Sequence, residues 1–105
     1  MEIRFYVTED EHTPYTEWLD ALKDREARAR IRTRIERVTM GNFGDHRSVG
    51  GGVMELRFTL GPGYRVYYGM DGKTIVLLLC GGDKSTQQAD IRRAKTYWAE
   101  YSDLE

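Results

Sequence analysis

Between residues 53 and 80 the chain reads as three consecutive strands joined by very short turns, and this feature constrains the fold more than any other. In Val53–Leu60, the apolar Met54, Leu56 and Phe58 alternate with Glu55, Arg57 and Thr59, the period-2 pattern of a strand with one apolar face. Gly61-Pro62-Gly63 then turns the chain into Tyr64–Met70, and Asp71-Gly72, a strong hairpin signal, turns it again into Thr74–Cys80. Parallel neighbours need a crossover of about a dozen residues or more, so turns this short make the three strands antiparallel. Ile75–Leu79 is apolar on both parities, which suits a central strand covered on both faces.

The flanking segments complete the fold. Ile3, Phe5 and Val7 alternate with Arg4 and Tyr6, predicting a first strand with that apolar set inside. Thr13-Pro14 reads as an N-cap followed by a first-turn proline, opening a helix to about Leu22. Asp24 caps a second helix in which Ala27, Ile31, Ile35 and Val38 form one stripe. Residues 41–52 hold Gly41, Gly44, Gly50, Gly51 and Gly52 without periodicity and read as a loop. Ser85 with Gln88 matches a capping box for a last helix whose Ile91, Ala94, Trp98 and Tyr101 share a face. The expectation is one α+β domain over residues 1–105, ordered β-α-α-β-β-β-α. Its mostly antiparallel sheet has four strands, with the two N-terminal helices on one face and the C-terminal helix over an edge or the other face.

Charge is uneven along the chain. Residues 1–24 carry two basic and seven acidic side chains, residues 25–95 fourteen and seven, and residues 96–105 none and three. A net charge of −1 by itself favours neither nucleic acid nor membrane, yet the middle of the chain is basic. The single cysteine, Cys80, excludes an internal disulfide and a cysteine-built zinc site. The N-terminus lacks a basic region leading into an apolar stretch, and the apolar run Ile75–Cys80 is far short of the roughly 20 residues of a membrane span. A cytoplasmic protein without a membrane partner is the expectation.

The polar parity of the hairpin projects Glu55 and Arg57, then Arg65 and Tyr67, onto what reads as an open sheet face, where Arg65 is replaceable without unfolding. Lys84 stands just past the third strand, before the free N–H groups that open the last helix. Arg57, Arg65 and Lys84 thus form a candidate phosphate site, although solvated charges on an open face give the same pattern. Gly81-Gly82-Asp83-Lys84-Ser85 lacks the glycine offset and Gly-Lys-Ser contiguity of a nucleotide-binding loop. His12 and His46, both in predicted loops, offer no metal or triad spacing, so neither a metal nor another cofactor is expected. The arginines of the second helix fit a solvated face or a set of phosphate contacts.

Glu55-Leu56-Arg57, Gly61-Pro62-Gly63-Tyr64-Arg65-Val66-Tyr67-Tyr68 and Leu77-Leu78-Leu79-Cys80-Gly81-Gly82-Asp83-Lys84-Ser85, followed by Gln88, Asp90-Ile91 and Ala94, carry a resemblance. Together they make the chain similar to the RelE/ParE superfamily toxins, in particular the phage-related HigB-like branch, the addiction module killer proteins. The resemblance implies the toxin of a type II toxin–antitoxin pair, an endoribonuclease that cleaves messenger RNA, often on the ribosome, and is neutralised by a small helix-turn-helix antitoxin. It places Arg57, Arg65 and Lys84 on the scissile phosphate and leaves Glu55 or Tyr67 as general base. Arg28, Arg32, Arg47 and Ser85 are candidate RNA contacts. Relatives carry a tyrosine or histidine near the C-terminus as acid or base, where this chain has Tyr97 and Tyr101. A ParE-like gyrase poison and a non-catalytic antitoxin-binding domain are the alternatives that the same fold allows.

Overall fold

In the computed structural model, which describes residues 1–103, the chain forms β1 (Glu2–Phe5), α1 (Pro14–Ala21), α2 (Arg25–Thr39), β2 (His46–Gly50), β3 (Val53–Arg57), β4 (Arg65–Asp71), β5 (Ile75–Gly82) and α3 (Gln87–Asp103), with a 3-10 turn at Lys84–Thr86. The strands make one sheet in the order β1-β5-β4-β3-β2; β1 runs parallel to β5 and the other neighbours are antiparallel. The α+β class and the β3-β4-β5 meander agree with the sequence pattern. The sheet, however, has five strands where four were expected, because part of the predicted 41–52 loop is β2. His46-Arg47-Ser48-Val49-Gly50 is a mostly exposed edge strand, so it buries no alternating apolar set that a period-2 reading could detect. Gly50, Gly51 and Gly52 all have positive φ and make the turn that returns β2 onto β3, with a register shift between Ser48 and Gly50.

Both faces of the sheet are covered. On one, the α2 stripe of Ala27, Ile31 and Val38 is fully buried with Leu56, Val66, Tyr68 and Leu78, and Leu19 of α1 joins it. Asp24 caps α2 as expected, its carboxylate accepting from the Ala27 N–H at 3.1 Å. On the other face, Ala94, Ile91 and Trp98 of α3 pack over Val53, Tyr67, Leu77 and Leu79. Two strand glycines make this sandwich possible: a Cβ at Gly81 would overlap the Trp18 ring, and one at Gly69 the Trp98 ring. A bulge between Tyr67 and Tyr68 leaves Leu79 unpaired with β4, so Leu79 and Cys80 both fall in the α3-side cluster.

Three local expectations are corrected. The face bearing Glu55, Arg65 and Tyr67 is not open, since α3 lies over it: Glu55 and Tyr67 are 0% exposed and Arg65 7%. In β1 only Ile3 of the alternating set packs inward, while Phe5 and Val7 are 47% and 53% exposed. Past Phe5 the chain leaves this short edge strand, and Tyr6 is the residue buried, stacked on Tyr97 at 4.7 Å. Ser85 is not the cap of the last helix either. Asp83 accepts from the Ser85 N–H at 2.8 Å and from its hydroxyl at 2.5 Å, forming the 3-10 turn that precedes α3. The Asp83 side chain takes the Ser85 N–H that the capping-box reading paired with the side chain of Gln88.

Candidate functional site

The β3-β4 register fixes the site. Arg57 and Arg65 lie directly opposite one another at the end of the ladder, beside the Gly61–Gly63 turn. Like charges in that position destabilise a sheet, so a nearby anion has to offset them. Lys84 arrives from beyond β5, and its stem crosses Gly63 so closely that a Cβ there would sit 2.9 Å from Lys84 Cγ. With a φ of +80°, Gly63 serves both the turn and this approach. Arg57, Arg65 and Lys84 line one cavity of about 500 Å³, closed by Asp45, Thr59 and the turn.

The three cations differ in what they can offer a ligand. Lys84 is exposed. Arg57, with a side chain 40% exposed, donates Nε and Nη2 to Asp45 Oδ1 at 3.2 and 3.0 Å. Those hydrogen bonds hold the Asp45 carboxyl below its ordinary value, helped by the charges of Arg57, Arg34 and Arg65. Arg65 is buried, and its Nη1 donates to the carbonyls of Gly63 at 2.9 Å, Tyr64 at 3.0 Å and Phe58 at 3.5 Å. Its Nε has no hydrogen-bond partner among the described residues and stands 3.9 Å from Glu55 Oε1. Arg65 therefore clamps the turn while carrying positive charge to the cavity wall.

Glu55 is the hub of a second, buried layer. Its Oε1 accepts from Arg47 Nε at 2.8 Å, and its Oε2 accepts from the Tyr67 hydroxyl at 3.0 Å and Gln87 Nε2 at 2.9 Å. Burial pushes the Glu55 carboxyl up, but the hydrogen bonds from Arg47, Gln87 and Tyr67 outweigh it and hold the group below the ordinary glutamate value. Burial and the Glu55 charge push the Tyr67 phenol far above its ordinary value, so Tyr67 keeps its proton. Neither side chain lines the Arg57 cavity.

Of the proposed RNA contacts, Arg47 reaches the site through Glu55, and Ser85 is exposed one residue beyond Lys84 with its hydroxyl on Asp83. Arg28 and Arg32 do not join them: Arg28 Nη1 donates to the Leu22 carbonyl, and Arg32 pairs with Asp20 of α1 at 3.6 Å. Tyr97 stacks on Tyr6, and the Tyr101 hydroxyl donates to Asp71 Oδ2 at 2.7 Å, so both serve the α3 docking surface away from the cavity. Two residues escaped sequence reasoning. Asp45 is the carboxylate that balances Arg57. Arg34 fixes the segment carrying Asp45, donating to the carbonyls of Phe43 at 3.0 Å, Asp45 at 2.7 Å and Arg57 at 3.1 Å. Neither has a local signal, since each acts on a partner distant in sequence.

An α+β domain whose five-stranded sheet is covered by helices on both faces, with a basic pocket at the end of its β3-β4 hairpin, is the class that these features define. The sequence model of the family described as "Phage derived protein Gp49-like (DUF891)" matches residues 17–100, and the chain belongs to this family. The family is RelE-like and associated with the toxins of toxin–antitoxin systems, which brings an antitoxin into view as partner. A relative from Haemophilus influenzae, named only as an uncharacterized protein, is 52% identical over 81 residues, covering 77% of this chain and 82% of its own. No helix among the described residues is long and apolar enough to cross a membrane.

Proposed function

We propose that residues 1–105 form one toxin domain of the HigB-like kind, an endoribonuclease that cleaves messenger RNA on the ribosome and is held in check by a helix-turn-helix antitoxin. The observation that carries this reading is the convergence of Arg57, Arg65 and Lys84 on one cavity. Three cations lining one cavity, with Asp45 as the carboxylate in its wall and Glu55 behind Arg65, suit a group whose negative charge grows during reaction, and such preorganised donors are worth roughly 3–4 kcal/mol each to a transition state. The reaction that fits is attack of a ribose 2′-oxygen on the adjacent phosphorus. The 2′-O–P bond forms, the P–O5′ bond breaks, the 2′-hydroxyl proton passes to solvent or a base, and the departing 5′-oxygen takes up a proton. Arg57 and Lys84 hold the non-bridging oxygens, Arg57 turning to the phosphate from Asp45. Arg65 fixes the turn and adds its charge. Glu55 and Tyr67 act as positioning residues behind it.

The test is to add the purified protein to translating ribosomes and to free RNA, with and without EDTA, and to analyse the new RNA ends. Upstream fragments ending in a 2′,3′-cyclic phosphate are expected from translating ribosomes, and whatever cleavage free RNA undergoes should persist in EDTA. Intact RNA in both settings, together with gyrase-dependent DNA breaks in cells, would replace the ribonuclease with a gyrase poison.

A further inference from the structure

We infer that the groove leading from the Arg57 cavity along α2 is a track for the single-stranded RNA that flanks the scissile phosphate, with Arg30 and Arg37 as its outer phosphate ligands. The inference rests on the ribonuclease reading and extends it to the path of the substrate. A second cavity of about 480 Å³ adjoins the first and shares Asp45, Arg57 and Thr59 with it, so the two form one continuous trough. Its far wall is α2, which contributes Arg30, Arg34 and Arg37. At 3.6 residues per turn these three lie within about 60° of arc, whereas Arg28 and Arg32 lie roughly 160° from Arg30. The arginine-rich helix is thus divided by geometry: one flank ties α2 to the α1 side, and the other faces the site.

Within that flank the roles separate again. Arg34 is committed to the carbonyls of Phe43, Asp45 and Arg57 and caps the Phe58 ring at 4.9 Å. It builds the floor of the trough. Arg37 is exposed, and Arg30, with a side chain 62% exposed, is paired with the exposed Glu26 at 3.0 Å. A solvated pair of that kind contributes little, so a phosphate displaces it readily. Arg30 and Arg37 are separated by about 10 Å along the helix axis, too far to share one phosphate and suited to two along a strand. Phe58, the aromatic side chain of the wall, is buried beneath Arg34 and offers no face for stacking a base. The track therefore reads backbone charge without base preference.

The experiment measures binding, so it does not depend on cleavage. Fluorescently labelled 2′-O-methyl oligouridylates of three and ten nucleotides are titrated at several salt concentrations with the parent, the Arg30→Gln/Arg37→Gln variant and an Arg28→Gln/Arg32→Gln control. For the ten-mer, losing two phosphate contacts should reduce the slope of log affinity against log salt by about 1.4, at roughly 0.7 per contact on single strands. The three-mer and the control should bind as the parent does. If the parent binds the ten-mer and the slope is unchanged in the Arg30/Arg37 variant, the track is wrong while the ribonuclease reading stands. If the parent binds neither oligomer, both fall.

Discussion

Replacing Lys84 or Arg57 by alanine is expected to lower RNA cleavage by about 10²- to 10³-fold for each residue, the loss typical of removing one preorganised donor at a developing oxyanion. Circular dichroism should be unchanged for Lys84→Ala, because Lys84 is exposed and its truncation leaves no buried group unpaired. Arg57→Ala leaves Asp45 without its partner, but both side chains meet solvent, so the cost in stability stays small. The activity loss should appear in the rate at saturating RNA, because these contacts strengthen as charge builds on the phosphate. A folded Lys84→Ala protein that cleaves RNA and arrests growth like the parent would remove Lys84 from the site.

Glu55→Leu carries the largest expected effect on stability. The carboxylate receives Arg47, Tyr67 and Gln87 and stands beside Arg65, so its loss strands a buried phenol and a buried guanidinium. Breaking a buried charge pair by removing one partner costs about 3–5 kcal/mol, and the half-exposed Arg47 places this case at the low end. A melting temperature lower by more than roughly 10 °C follows for a domain of this size. The pH dependence has a definite sign. Because Glu55 titrates below its ordinary value in the folded protein, its contribution is present above the unfolded glutamate pKa of about 4.3 and is lost as pH falls through the folded value. Melting curves of parent and Glu55→Gln should therefore converge in acid. If Glu55→Gln keeps the parent's melting temperature at neutral pH and loses only activity, Glu55 is a general base and not a positioning residue.

These expectations differ from those that periodicity supports, and the reasons are specific. The meander, the α2 stripe and the Asp24 cap were legible because each is written in neighbouring residues: alternation, an i, i+4 pattern, a capping side chain. That Arg57, Arg65 and Lys84 could converge was legible from strand parity and the Gly61–Gly63 turn, though not the register that sets Arg57 opposite Arg65. What surrounds them was not. Polar parity marks Glu55 and Tyr67 as facing away from the α1 and α2 core, and only the packing of α3 turns that face into an interior where a carboxylate needs three donors. β2 was missed because a polar edge strand leaves no apolar alternation. Asp45 and the site-facing flank of α2 depend on contacts about 9 to 23 residues apart in sequence, such as Asp45 with Arg57 and Arg34 with the carbonyls of Phe43 and Arg57.

Substitution of a single 2′-hydroxyl tests the central claim most directly. The cleavage position is first mapped on an RNA substrate, and the same substrate is then prepared with one 2′-deoxy nucleotide immediately upstream of the cut. If the ribose oxygen is the nucleophile and the Arg57, Arg65 and Lys84 cavity stabilises its attack, cleavage at that position disappears while the oligomer binds with unchanged affinity. Cleavage of the 2′-deoxy substrate at the parent rate would contradict the account, because the nucleophile would then come from outside the ribose.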